Sequence, residues 1–251
     1  MTVRKACNDV RVFSLAICLS LVSALQQNLR LRKGEWNNCL PRDHKYMPRR
    51  SLLIAVRSVL ALLIFGAIGK QFTIQVHLGF SVVNFFSYFT NLSNLFAAAV
   101  LSVGVFRHVA QLAPSVSYDL VRTVAALNMA VVGIVFAALL RDVDLGSLLP
   151  WVNIVLHYIM PVAVVLEWLV YPPRAKLGTR QLLLCQGFPL FYLAYLLLRG
   201  ANVGWYPYPF LNPATVGGYG NVALYVIGIV LVFFFVGWSL LVLGNKLRSE
   251  K

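Results

Sequence analysis

Six apolar runs, each close to the length of a bilayer crossing, dominate this chain: residues 52–69, 82–106, 121–140, 151–171, 181–198 and 219–243. A hydrocarbon core about 30 Å thick takes about 20 mostly apolar residues per helical span. The separators carry charges and helix breakers, such as Lys70 to Gly79, Arg107 to Pro114 and Arg141 to Pro150. No run alternates polar and apolar residues as a membrane barrel strand does. The predicted fold is all-α: an integral membrane bundle of six transmembrane helices. Composition agrees, with 59% of the 251 residues hydrophobic and only 12% charged. A soluble domain is typically about a quarter charged.

The net charge of +14 does not point to nucleic acid, because the basic residues cluster at the ends of the apolar runs. There they orient helices and meet anionic lipid. From Met47 onward, one side collects Arg49, Arg50, Arg107, Arg122, Arg174, Lys176, Arg180, Lys246, Arg248 and Lys251. The other collects Lys70, Arg141 and Arg199. The richer side is expected to be cytoplasmic. That places both ends of the core inside, in a bacterial cytoplasmic membrane. Arg57, inside the first run, reads as a snorkelling arginine. Residues 1–46 read as a basic extension with a short apolar segment, Val12 to Leu25, outside the 47–251 membrane domain: a signal peptide, a further short or interfacial membrane segment, or a mis-assigned start. Met47-Pro48-Arg49-Arg50 resembles a natural beginning, so the assigned start is suspect. The four cysteines form no CxxC and no paired spacing, so neither a disulfide framework nor a zinc site is expected. No metal or cofactor is expected. The expected partners are membrane lipids and a lipid ester, not nucleic acid.

Polar groups inside spans are costly and usually face the bundle interior. In the second run Asn84, Ser87, Asn91 and Asn94 are spaced three, four and three, which puts them on one helical stripe bordered by Thr90. Interhelical hydrogen bonding is the plain reading of such a stripe. In the fourth run Asn153 and His157 share a face at i, i+4, and His157 is the one histidine well inside a run. Thr90 should lie about nine residues, roughly 13 Å, inward from the end of its span, and His157 roughly 9 Å inward. The two therefore fall in the same half of the membrane. Glu167 lies roughly 15 Å further along the helix from His157, too far to complete a triad. Asp142 and Asp144 are better placed to orient the imidazole, but a solvated loop is the plainer reading. The loop before the sixth run carries Trp205-Tyr-Pro-Tyr-Pro-Phe-Leu211, with prolines that define its shape. It reads as an aromatic belt or as a lid over a cavity.

Together, Phe-Thr90-Asn-Leu, Trp151-x-Asn153-x-x-x-His157 with Pro161 and Glu167, and the late Trp205 to Leu211 element carry a resemblance. The chain from about 51 to 243 resembles the androgen-induced and androgen-dependent integral membrane hydrolases and their bacterial six-span relatives. The resemblance implies an intramembrane threonine nucleophile, Thr90, and a histidine base, His157, acting on fatty acid esters of hydroxy fatty acids. Two departures are visible. The animal proteins have a second histidine where this chain has Ile154, and an acid near Asn91 and Leu92. A threonine hydroxyl needs a base to become a nucleophile, and a neutral imidazole supplies one. Candidate oxyanion and substrate groups are Ser87, Asn91, Asn94, Asn153, Trp205, Tyr206 and Tyr208. Two other function classes compete. A permease needs a polar path through both leaflets. A lipid-binding scaffold has the pocket but no competent pair.

Overall fold

The protein is described from a computed structural model, which covers residues 47–144 and 146–249. The expectations about residues 1–46 lie outside the described residues. The chain divides into units 1–53 and 54–251. Of the first, only the beginning of helix α1 is described.

Six helices have the length and apolar character of membrane spans, so the chain is an integral membrane protein. Helix α1 is Met47–His77. A short helix α2, Val82–Phe86, precedes α3, Phe89–Val109. Helix α4, Val116–Val135, continues into a π-helical turn, Phe136–Leu140. The fourth span is built of α5, Pro150–Ile154, a π-helical turn, Val155–Ile159, and α6, Met160–Val170. Helix α7 is Thr179–Val203. A loop with a 3-10 turn, Pro209–Leu211, and one turn of helix α8, Pro213–Val216, leads to α9, Tyr219–Ser249. No strand occurs among the described residues.

The third span is the most buried and the sixth the least. Helix α4 therefore runs through the middle of the bundle, packed on spans two, four, five and six. Small residues permit this closeness: Ala97, Ala98 and Ala126 are wholly buried. In lipid, where apolar tails compete equally with apolar side chains, such close packing supplies much of helix association. Gly104 is required by position, because a Cβ there would collide with the Tyr118 hydroxyl and press on Arg57.

Two apolar clusters form the interior. One joins spans one to four around Ile64, Ala97, Met129, Leu156 and Met160. The other joins spans three, five and six with the 204–218 loop, around Val131, Phe136, Tyr192, Tyr208 and Phe233. Each end of the bundle has a polar network. At one end Glu167 accepts from Arg57 Nε at 2.8 Å and Nη2 at 2.5 Å. It also accepts from Arg122 at 3.0 and 3.1 Å. Arg57 is 3% exposed, so it does not snorkel. Its stem turns inward because the buried Glu167 carboxylate on the fourth span compensates the charge. At the other end Gln71 donates to the Ser147 carbonyl at 3.0 Å and accepts from the Leu149 amide at 3.2 Å.

The second span departs from expectation. The apolar run 82–106 is not one helix: it stops at Phe86 and restarts at Phe89, with extended backbone at Tyr88. Backbone groups freed by a break inside a membrane protein need other partners, and two tyrosines supply them. Tyr192 Oη donates to the Ser87 carbonyl at 2.8 Å. The Phe89 N–H donates to Tyr208 Oη at 2.8 Å. Asn91 Nδ2 donates to the Phe85 carbonyl at 2.8 Å, tying the two pieces together. The stripe expected from Asn84 to Asn94 is therefore interrupted. Thr90 sits in the first turn of α3, not nine residues into a continuous span.

Candidate active site

Thr90 and His157 meet where the two apolar clusters join. Thr90 Oγ1 lies 3.3 Å from His157 Nε2, across 67 residues of sequence. Both residues are 8% exposed. His157 lies within the π-helical turn of the fourth span. Single π turns of this kind occur frequently at functional sites.

The imidazole is held on two sides. Its Nδ1 lies 3.3 Å from the Asn153 carbonyl oxygen. A carbonyl only accepts, so this contact places the neutral ring's proton on Nδ1 and leaves the Nε2 lone pair facing Thr90. The Phe136 ring stacks on the imidazole at 4.1 Å between centroids and 26° between planes. Phe136 opens the second π-helical turn, so the two distorted turns face each other here. Gly133 permits the approach: a Cβ there would lie 3.1 Å from Pro161.

Asp142 and Asp144 do not orient the histidine. Asp144 accepts from the Gly146 amide at 2.8 Å, and Asp142 lies 3.5 Å from Arg141. A solvated loop acid gains more from local donors than from reaching into the bundle. Glu167 is committed to Arg57 and Arg122 at the opposite end.

The remaining candidates separate into two groups. Asn94 lies with the pair: its Nδ2 donates to the Thr90 carbonyl at 2.9 Å and to the Leu156 carbonyl at 3.3 Å. Its buried Oδ1 has no protein partner. Asn153 holds His157 through its backbone. Tyr208 reaches the site from the 204–218 loop. The others are engaged elsewhere. Ser87 Oγ donates to the Val83 carbonyl at 2.8 Å. The Asn91 amide bridges to α2. Trp205 lies beneath the Arg199 guanidinium, 5.0 Å from its ring centre, and against Tyr88. Tyr206 packs so closely on Gly200 that no side chain would fit there.

A cleft with a cavity volume of about 70 Å³ opens beside Thr90. Its walls come from spans two, three, five and six, and the 204–218 loop supplies Tyr208, Phe210 and Leu211. The lining is almost wholly apolar, with Thr90, Gln186 and the tyrosine hydroxyls as its polar points. Leu190, on this wall, is exposed on the outer surface of the bundle. The site thus combines a polar pair with an apolar groove, the usual makeup of a small-molecule pocket. Among the described residues no group of three or more His, Cys, Asp or Glu could hold a metal ion.

Phe136 and Tyr192 belong to this site and were not singled out from the sequence. Each sits in an apolar run as one aromatic among many, and only the fold gives it a partner. Comparisons with family models, characterised proteins and solved structures return no match for this chain.

Proposed function

We propose that this chain is an intramembrane lipid ester hydrolase with Thr90 as nucleophile and His157 as general base. The observation that carries the reading is the 3.3 Å approach of Thr90 Oγ1 to His157 Nε2 beside an apolar cleft. The resemblance to the androgen-induced and androgen-dependent hydrolases supports it independently. The substrate is a fatty acid ester of a hydroxy fatty acid or a similar acyl ester. The setting is a bacterial cytoplasmic membrane, with both ends of the six-helix core cytoplasmic, following the excess of lysine and arginine on that side.

The chemistry runs in two balanced halves. Nε2 takes the Thr90 hydroxyl proton as Oγ1 attacks the ester carbonyl carbon. The carbonyl re-forms as the bond to the alcohol oxygen breaks, and Nε2–H protonates that leaving oxygen. A water then gives its proton to Nε2 and attacks the acyl-threonine. The acid leaves and the proton returns to Thr90. The Asn153 carbonyl opposite Nδ1 stabilises the imidazolium formed in each half. The apolar lining favours this reading over a permease, which needs a polar path through both leaflets.

The test is hydrolysis of p-nitrophenyl acyl esters and of hydroxy fatty acid esters by the purified, detergent-solubilised protein. Thr90→Ala and His157→Ala are each expected to lose turnover while unfolding at the wild-type temperature. An inactive wild-type protein, or folded variants that keep full activity, overturns the proposal.

A further inference from the structure

An acyl-transfer site needs a donor where negative charge develops on the carbonyl oxygen, and the proposed pair of Thr90 and His157 supplies none. Asn94 is unsuited, because its donor nitrogen is already committed to two backbone carbonyls. Asn91 and Ser87 are committed as well. Tyr208 differs from all of these. It lines the cleft beside Thr90. Its oxygen accepts the Phe89 N–H at 2.8 Å, and the Tyr192 hydroxyl and the amide and hydroxyl of Thr90 face the same oxygen. Its ring is held rigidly, stacked on Phe210 at 5.2 Å with only 2° between planes and set edge-on to Tyr88.

We propose that Tyr208 is the oxyanion donor of this site: its hydroxyl proton bonds the carbonyl oxygen of an ester seated against Thr90, while the Phe89 amide holds and polarises the phenol oxygen. The assignment rests on the Thr90–His157 reading and adds a third catalytic residue from a separate part of the chain. The break in the second span has a purpose in this arrangement. A continuous helix through residues 82–106 would tie up the Phe89 amide within the helix and leave no seat for the phenol beside the nucleophile. Burial pushes the Tyr208 hydroxyl up to about 12, so it keeps its proton across the neutral range and remains a donor.

The experiment uses the full chain in detergent with p-nitrophenyl esters, comparing wild type, Thr90→Ala, Tyr208→Phe and a protein carrying 3-fluorotyrosine at position 208. Tyr208→Phe keeps the ring and its stacking and removes only the hydroxyl. Its kcat is expected to fall on the order of 10²–10³-fold, with KM changed far less. The fluorinated ring keeps shape and hydroxyl but is more acidic. It is expected to change kcat and to move the alkaline limb of the pH profile downward, which a purely structural hydroxyl would not do. If Tyr208→Phe does not fold, the fluorinated protein decides: an unaltered kcat and pH profile overturn the assignment. Wild-type activity abolished by Thr90→Ala but undiminished in folded Tyr208→Phe overturns the oxyanion role alone. A wild-type protein without esterase activity overturns both readings.

Discussion

At the scale of single residues, the proposed chemistry depends on one lone pair. His157 acts as a base only while Nε2 is unprotonated, so kcat/KM is expected to fall as the medium is acidified and the ring takes up a second proton. A pH–rate profile checks this. A rate that rises on acidification is the contrary result. Thr90→Ser should retain a hydroxyl at 3.3 Å from the imidazole and keep measurable turnover, in contrast to Thr90→Ala. The pairing of Thr90 with His157 was legible in part, because polar residues inside apolar runs usually face the interior, but the depth argument for it did not foresee the break before Thr90. The orienting group was not legible. A backbone carbonyl has no signature in sequence, and the visible acids, Asp142 and Asp144, satisfy themselves locally.

At the scale of elements, the six spans could be read because apolar length alone defines a crossing. Their interruptions could not. The run through Phe85-Phe86-Ser87-Tyr88-Phe89 is as apolar as any helix interior, and the break depends on Tyr192 and Tyr208, more than 100 residues away. The π-helical turns at 136–140 and 155–159 depend likewise on two spans meeting. The three-span ion cluster was half legible: Glu167 was visible as an intramembrane acid, but Arg57 read as an isolated snorkelling chain. Its energetics are testable. Glu167→Gln leaves two buried guanidiniums facing a neutral amide and is expected to cost about 3–5 kcal/mol, seen as a lower unfolding temperature. Arg57→Met leaves the carboxylate paired with Arg122 at 3.0 Å and should cost less. Equal losses in the two variants would deny Glu167 its central place. Gly200→Ala forces a methyl into the Tyr206 ring. It should destabilise by about 1–3 kcal/mol, as overpacking usually does, again measured by thermal unfolding.

At the scale of the whole molecule, the cleft is a property of the assembled bundle, with walls from four spans and a loop. Its length follows from helix geometry. Val131 to Leu140 on the third span covers about nine residues, roughly 13 Å, which suits an acyl chain of medium length. Val135→Phe fills part of this wall. It is expected to shift kcat/KM toward shorter p-nitrophenyl esters, and an unchanged chain-length preference would mean that acyl chains lie elsewhere. The broken second span also bears on how the protein is made. Phe89 emerges from the ribosome 119 residues before Tyr208. At about 5–20 residues per second, that gap lasts roughly 6–24 s. Throughout this interval the nascent chain holds an amide that its final partner has not yet reached, as it does for the Ser87 carbonyl until Tyr192 follows. The break in the second span is thus closed only after most of the chain has been made, by a loop and a helix that follow it by more than 100 residues.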